Sequence, residues 1–206
     1  LLLLIFSLSA ILSSPALEPV AKLWVTMPDS IMPSVEVNRR KDMIDLIHAG
    51  QTAQSTTKLG GTATLTKLQD NTLSIDLSSK SKMDMRLYQT HRNDTLIVLV
   101  NTVYAPAGNS RIRVFDPAWN ELPVSKYIRP IPTAEFFTIP DTLAESQKKE
   151  LLQIAEVYLV EFSFEADGSL RARPSWEKYL DPKSFEKIKP YLRKAITLRW
   201  NGKKLL

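Results

Sequence analysis

Leu73-Ser74-Ile75-Asp76-Leu77, Met83-Asp84-Met85-Arg86-Leu87, Leu96-Ile97-Val98-Leu99-Val100 and Ile112-Arg113-Val114 follow one another across residues 73–114. In three of these segments apolar side chains return at every second position, the period of a strand with one buried face. The third, Leu96 to Val100, is apolar throughout, as expected of a strand covered on both faces. The breaks carry turn chemistry: Ser78-Ser79-Lys80-Ser81, Arg92-Asn93-Asp94 and Pro106-Ala107-Gly108-Asn109. Short strands joined by tight turns predict an antiparallel meander. Ile75, Leu77, Leu87 and Val98 are expected to be buried together.

Outward from this stretch the period changes. Val37, Met43, Ile44 and Ile47 fall near one stripe, so a helix is expected from about Val35 to Ala49, with Gly50 where a left-handed C-cap belongs. The preceding Met27-Pro28-Asp29-Ser30-Ile31-Met32-Pro33-Ser34 reads as a turn and helix start, and residues 51–62 read as polar connection with a turn at Gly60-Gly61.

C-terminal to the meander, Pro117, Pro123, Pro130, Pro132 and Pro140 forbid a long regular helix and predict a surface crossover. Thr142-Leu143-Ala144-Glu145 has the form of a capping box opening a helix to about Ile154. Tyr158, Val160, Phe162 and Phe164 alternate, and Asp167-Gly168 turns them into Leu170-Arg171-Ala172-Arg173. Asp181-Pro182 caps a further helix through about Leu192. Ile196 to Trp200 is the last strand and Asn201-Gly202 the final turn. The expected class is α+β, an antiparallel β-meander packed with a few helices. Gly108 to Trp119 and Gly168 to Trp176 echo each other, as two related halves (23–120 and 141–206) of one domain (17–206) would.

The N-terminal run Leu1-Leu2-Leu3-Leu4-Ile5-Phe6 continues to Leu12 without charge and ends in Ser13-Ser14-Pro15-Ala16. This is the apolar core and small-residue cleavage site of a signal peptide, residues 1–16, with cleavage after Ala16 or, second, after Ala10. It is shorter than the roughly 20 apolar residues of a membrane-spanning helix, and Glu18 follows closely. Neither a Met nor a charged segment precedes it, so the expectation rests on the core and the cleavage site. No later segment has the length to span a bilayer. The mature chain is therefore expected in the periplasm or at the cell surface.

Leu23-Trp24, Met27-Pro28-Asp29-Ser30, Arg40-Lys41-Asp42-Met43-Ile44-Asp45, Leu59-Gly60-Gly61, Asn101-Thr102-Val103-Tyr104-Ala105-Pro106 and Trp119 occur in that order. Together they resemble an uncharacterised exported family, a domain of unknown function of Bacteroidales. The resemblance implies a Gram-negative envelope or extracellular location and carries no catalytic residue.

With no cysteine, disulfides, thiolate metal sites and a lipid-anchor cysteine are excluded. The only histidines are His48 and His91. Asp42, Asp45 and His48 stand at i, i+3 and i+6, too far around a helix for one metal. No Gly-x-Ser-x-Gly elbow and no phosphate-loop spacing occur. Asp29, Asp42, Asp45, Asp70 and Asp76 could supply a glycosidase pair only if the fold brought two together. No catalytic residue, metal or cofactor is assigned.

Two binding features remain. Trp119 and Trp176 each follow a proline by two residues in a loop and are candidates for stacking on sugars. Trp200, at a strand end, is expected in the core or at its edge. From Ser169 to Leu206 there are 11 Lys and Arg against 3 acidic residues, a local charge of +8 in a chain of +5, leaving −3 before it. Arg171, Arg173, Lys183 and Lys187 are the candidates within it. The expected partner is an anionic envelope polymer, a glycan or a protein, and not nucleic acid. The reading is a noncatalytic envelope protein that binds through its surface; a carbohydrate-binding or hydrolytic envelope protein is the alternative.

Overall fold

In the computed structural model, which describes residues 17–206, the alternating stretch forms the centre of a seven-stranded sheet. Its strands are β1 (Gln54–Thr56), β2 (Thr62–Gln69), β3 (Thr72–Ser78), β4 (Ser81–Gln89), β5 (Thr95–Tyr104), β6 (Gly108–Phe115) and β7 (Glu121–Leu122). Each pairs antiparallel with the next, so the sheet is one uninterrupted meander. The predicted β3–β6 core is therefore present, and three strands were not anticipated. In β2, Ala63 and Leu65 point inward between exposed or half-exposed threonines. The polar connection of residues 51–62 thus holds β1 and the turn where Gly60 adopts φ +78°. The signal-peptide segment, residues 1–16, lies outside the described residues.

Helices α1 (Pro19–Thr26) and α2 (Val37–His48) cover one face of the sheet. α1 was not foreseen. Its buried Val20, Ala21 and Trp24 join Met43 and Ile44 of α2 against Leu65, Leu73, Ile75, Met83, Met85 and Leu87. Strand β5 serves both faces, as its continuous apolar run required. Ile97 and Leu99 enter this helix-covered cluster, while Leu96, Val98 and Val100 enter the opposite one. The expectation that Val98 is buried beside Ile75 and Leu87 is corrected by that parity: Val98 faces the other side. Leu77, near the end of β3, is only half-buried.

The second face is covered by the C-terminal third of the chain. Helix α4 (Glu145–Ile154), helix α5 (Pro182–Ile188) and the three-stranded sheet β10-β9-β8 lie there, built from β8 (Val160–Phe164), β9 (Leu170–Pro174) and β10 (Ile196–Leu198). Val160, Phe162, Leu170, Trp176 and Leu198 pack with Tyr88, Val98, Val100 and Val114, so this core is shared between both halves of the sequence. The proline-rich crossover contributes one short turn of helix, α3 (Val124–Tyr127), and a 3-10 turn at Thr133–Phe136.

Local chemistry sets the helix ends. Asp181 Oδ1 accepts from the backbone N–H groups of Lys183 and Ser184, so the foreseen cap is in place. α5 ends at Ile188, and Lys189–Tyr191, around Pro190, continues as a 3-10 turn. α4 starts two residues later than Thr142 requires: Ala144 is the N-cap, and Gln147 Oε1 accepts from the Ala144 N–H at 3.3 Å. The box partner is glutamine rather than Glu145, because the side chain that reaches back sits at the third helical position.

Candidate functional site

The four tryptophans separate cleanly by burial. Trp24 and Trp176 are 0% and 1% exposed, and Trp119 is 9% exposed. Trp176 donates Nε1–H to the Val157 carbonyl at 2.8 Å and packs beside Phe136 and Phe137. Trp119 takes φ +66° in a loop held by Asp116, whose Oδ1 accepts from the N–H groups of Ala118 and Asn120. That turn sends the Trp119 ring inward onto Phe115, with Nε1 3.4 Å from Thr26 Oγ1. Both stacking candidates from the sequence are thus corrected: a proline two residues upstream marked a loop, and the loop folds its ring into the core.

Trp200 is the half-exposed one. It follows β10, donates Nε1–H to the Gln89 carbonyl at 2.9 Å, and lies against Tyr88 with ring centroids 4.9 Å apart. Tyr88 is fixed beneath it: its hydroxyl donates to the Gly168 carbonyl at 2.8 Å, and burial pushes its pKa up. The two rings border a cavity of about 450 Å³ that also takes in Asn71, Arg86, Asp167 and Arg199. A second cavity of about 480 Å³ shares Asn71 and Arg86 and continues toward Lys67, Asp70 and Glu18. The two form one groove along the β2–β3 turn and the β8–β9 turn.

The groove's polar groups are held in place before any ligand arrives. Asp167 accepts from the Ser169 hydroxyl and N–H and from Arg199 Nη1 at 2.8 Å, which holds its carboxyl down at about 2. Arg86 is half-buried and donates to the Glu165 carbonyl at 3.1 Å. No carboxylate among the described residues pairs with it. Gly168, at φ +84°, lets the β8–β9 turn pass close to that guanidinium. Packed aromatic rings beside a fixed carboxylate, two guanidiniums and amides can grip a polyhydroxylated ring, apolar face to tryptophan and hydroxyls to the polar groups.

The basic residues nominated from the sequence are largely neutralised by acids from earlier in the chain. Arg173 pairs with Glu161 at 2.6 Å, Arg171 with Glu165 at 3.6 Å, and Lys187 with Glu150 at 2.9 Å. Lys183 alone of the four has no carboxylate partner among the described residues. The charge segregation along the sequence is mixed by the fold.

Glu161 also accepts from the Tyr104 hydroxyl at 2.8 Å. Burial alone would raise the Glu161 pKa, but the hydrogen bonds from Arg173 and Tyr104 bring it below the usual value. It is a saturated carboxylate rather than a poised acid. His48 meets Glu18 at 2.9 Å instead of Asp42 or Asp45. Among the described residues no three or more His, Asp or Glu side chains stand together to hold a metal, and no helix is long and apolar enough to cross a membrane. No sequence pattern points to Arg86 or Asn71, which lie at ordinary strand and turn positions.

The fold and groove define an α+β protein with a meander sheet between a helical layer and a small second sheet. The chain belongs to the family described as "Protein of unknown function (DUF3256)", which matches residues 12–205. That agrees with the resemblance to a domain of unknown function. No curated protein matches the chain. Among solved structures it is similar to a domain of an uncharacterized protein from Porphyromonas gingivalis W83, a Bacteroidales member, at 20% identity and a TM-score of 0.80. The match covers 92% of this chain and 98% of that one. This likeness is one of fold, and neither comparison carries an activity.

Proposed function

We propose that this is a noncatalytic, exported ligand-binding protein of the bacterial envelope, and that its groove takes a carbohydrate chain at Trp200. One observation carries the reading: the half-exposed Trp200 packs, tilted by 40°, against a hydrogen-bonded tyrosine beside Arg86, Asp167, Arg199 and Asn71. An aromatic anchor of this kind dominates binding when a partner covers it. Titrating the protein with neutral oligosaccharides while following tryptophan fluorescence tests it. The other three tryptophans are buried, so the spectral change reports Trp200. Trp200→Ala is expected to weaken saccharide binding by about tenfold or more, corresponding to about 1.4 kcal/mol or more. Saccharide affinity indifferent to Trp200→Ala would remove the groove from the proposal.

The export part of the proposal is supported by the apolar run ending in Ser14-Pro15-Ala16. Mature protein recovered from the envelope or medium is expected to begin at Leu17. N-terminal sequencing that finds Leu1 to Leu12 retained would overturn it.

A further inference from the structure

We infer that a third cavity, between the β4–β5 turn, α3 and the C-terminal tail, binds an oxyanion carried on a sugar-sized body: a phosphorylated, sulfated or carboxylated saccharide unit. The cavity, about 410 Å³, is lined by His91, Arg92, Lys126, Tyr127 and Lys203, with Asp94 on its wall. Three cations from distant parts of the sequence therefore meet there. None of the three has a carboxylate within ion-pair distance among the described residues. Elsewhere in the basic C-terminal region Arg171, Arg173, Lys187, Lys189 and Arg199 each have one. Lys178, Lys183, Arg193, Lys194 and Lys204 are likewise without a carboxylate partner among the described residues, so what sets Arg92, Lys126 and Lys203 apart is that they converge on one cavity.

The backbone around the cavity is fixed. His91 N–H donates to the Gly202 carbonyl at 2.9 Å, and Leu205 N–H donates to the Tyr127 carbonyl at 2.8 Å, tying the tail to both other walls. The Thr90 hydroxyl accepts from the Arg92 and Asp94 N–H groups, and Asn201 Oδ1 accepts from those of Lys203 and Lys204. These side-chain turns fix the backbone at Arg92 and Lys203. Gly202 holds φ +84°, and a Cβ there would clash with the His91 ring. The imidazole therefore lies flush on the tail as a wall. Lys126 Nζ stands 5.3 Å over the Tyr127 ring. Ring walls under a cationic rim, in a volume within the range of small-molecule pockets, suit an anion with a body rather than a bare ion.

Isothermal titration at low and at physiological salt tests the inference, using a sulfated heparin-derived hexasaccharide, an oligogalacturonate, a neutral cellohexaose and inorganic phosphate. Exposed charges are screened over about 8 Å at physiological salt, so the acidic oligosaccharides are expected to bind with a marked salt dependence. Arg92→Glu with Lys203→Glu is expected to weaken them about tenfold or more, and Lys183→Glu with Lys187→Glu less than about threefold, since the latter pair lies on α5. All four side chains are exposed, and circular dichroism checks the fold of each variant. A stronger response to sulfated or to carboxylated chains identifies the source of the oxyanion. Equal losses in both double variants would reduce the effect to net charge and overturn the site. So would no loss in either, or inorganic phosphate binding as tightly as the oligosaccharides. Cellohexaose reports the Trp200 groove, so failure there leaves this cavity's outcome readable.

Discussion

Arg40→Ala is expected to lower the unfolding free energy by about 3–5 kcal/mol, the scale seen when one member of a buried charged network is removed. Arg40 lies on α2 at 0% exposure. Its Nε donates to the Val35 carbonyl at 2.8 Å, Nη1 to the carbonyls of Trp24 and Met27, and Nη2 to the Met32 carbonyl and Asp29. One guanidinium thus ties the end of α1, the Met27–Ser34 loop and the start of α2 together. Truncation leaves buried carbonyls without donors, each costing about 1–3 kcal/mol before relaxation. Lysine is no substitute, because a point charge cannot serve so many acceptors in a fixed plane. Asp29 is half-exposed, so Asp29→Ala is expected to cost only about 0–1 kcal/mol. Urea unfolding of the three variants separates the cases: if Asp29→Ala matched Arg40→Ala, the ion pair rather than the carbonyl network would hold the loop.

This network also gathers several of the residues that carry the family resemblance. Leu23-Trp24, Met27-Pro28-Asp29 and Arg40 through Ile44 converge on it, and Trp24 Nε1 lies 3.4 Å from Met32 Sδ. Trp119 packs on the same side through Phe115 and Thr26. Those motifs describe how the helical layer is fastened to the sheet. The groove and the cationic cavity lie at turns and strand ends outside them.

What the sequence discloses follows from how local each signal is. The β3–β6 meander was legible because period 2 and turn residues are written in consecutive positions. β2 was missed because its inward face holds only Ala63 and Leu65 before an irregularity between Leu65 and Lys67 puts the next apolar residue, Leu68, out of step. α1 spans 8 residues and buries only Val20, Ala21 and Trp24, too few for a period to emerge. Arg40 sits among charged neighbours, and only the loop folding over it turns a surface residue into a buried one. The basic bias after Ser169 was read correctly along the chain, but Glu150, Glu161, Glu165 and Asp167 come from before that point and cancel much of it. Exposure of the tryptophans is likewise decided by tertiary packing, which a neighbouring proline does not report.

Trp176 makes that last point measurable. Trp176→Ala is expected to cost about 3–5 kcal/mol, the range for truncating a buried aromatic, against a total stability that for a domain is commonly about 5–15 kcal/mol. The ring fills the centre of the C-terminal core, 6.0 Å from Phe136 and 5.9 Å from Phe137, and its indole N–H satisfies Val157. Its removal would loosen the segment preceding β8 and, through it, the small sheet on which Trp200 stands. Loss of saccharide binding in this variant would therefore be ambiguous alone. Trp176→Phe resolves it, because it keeps an aromatic ring in the core and gives up the hydrogen bond, at about 1–3 kcal/mol for the carbonyl left unpaired. That variant is expected to stay folded and to bind saccharide with the parent's affinity, while Trp200→Ala stays folded and binds weakly. Trp176→Ala as stable as the parent in urea would overturn the packing role of Trp176; Trp176→Phe losing saccharide binding while folded would move the stacking surface to Trp176, and the assignment to Trp200 would fail.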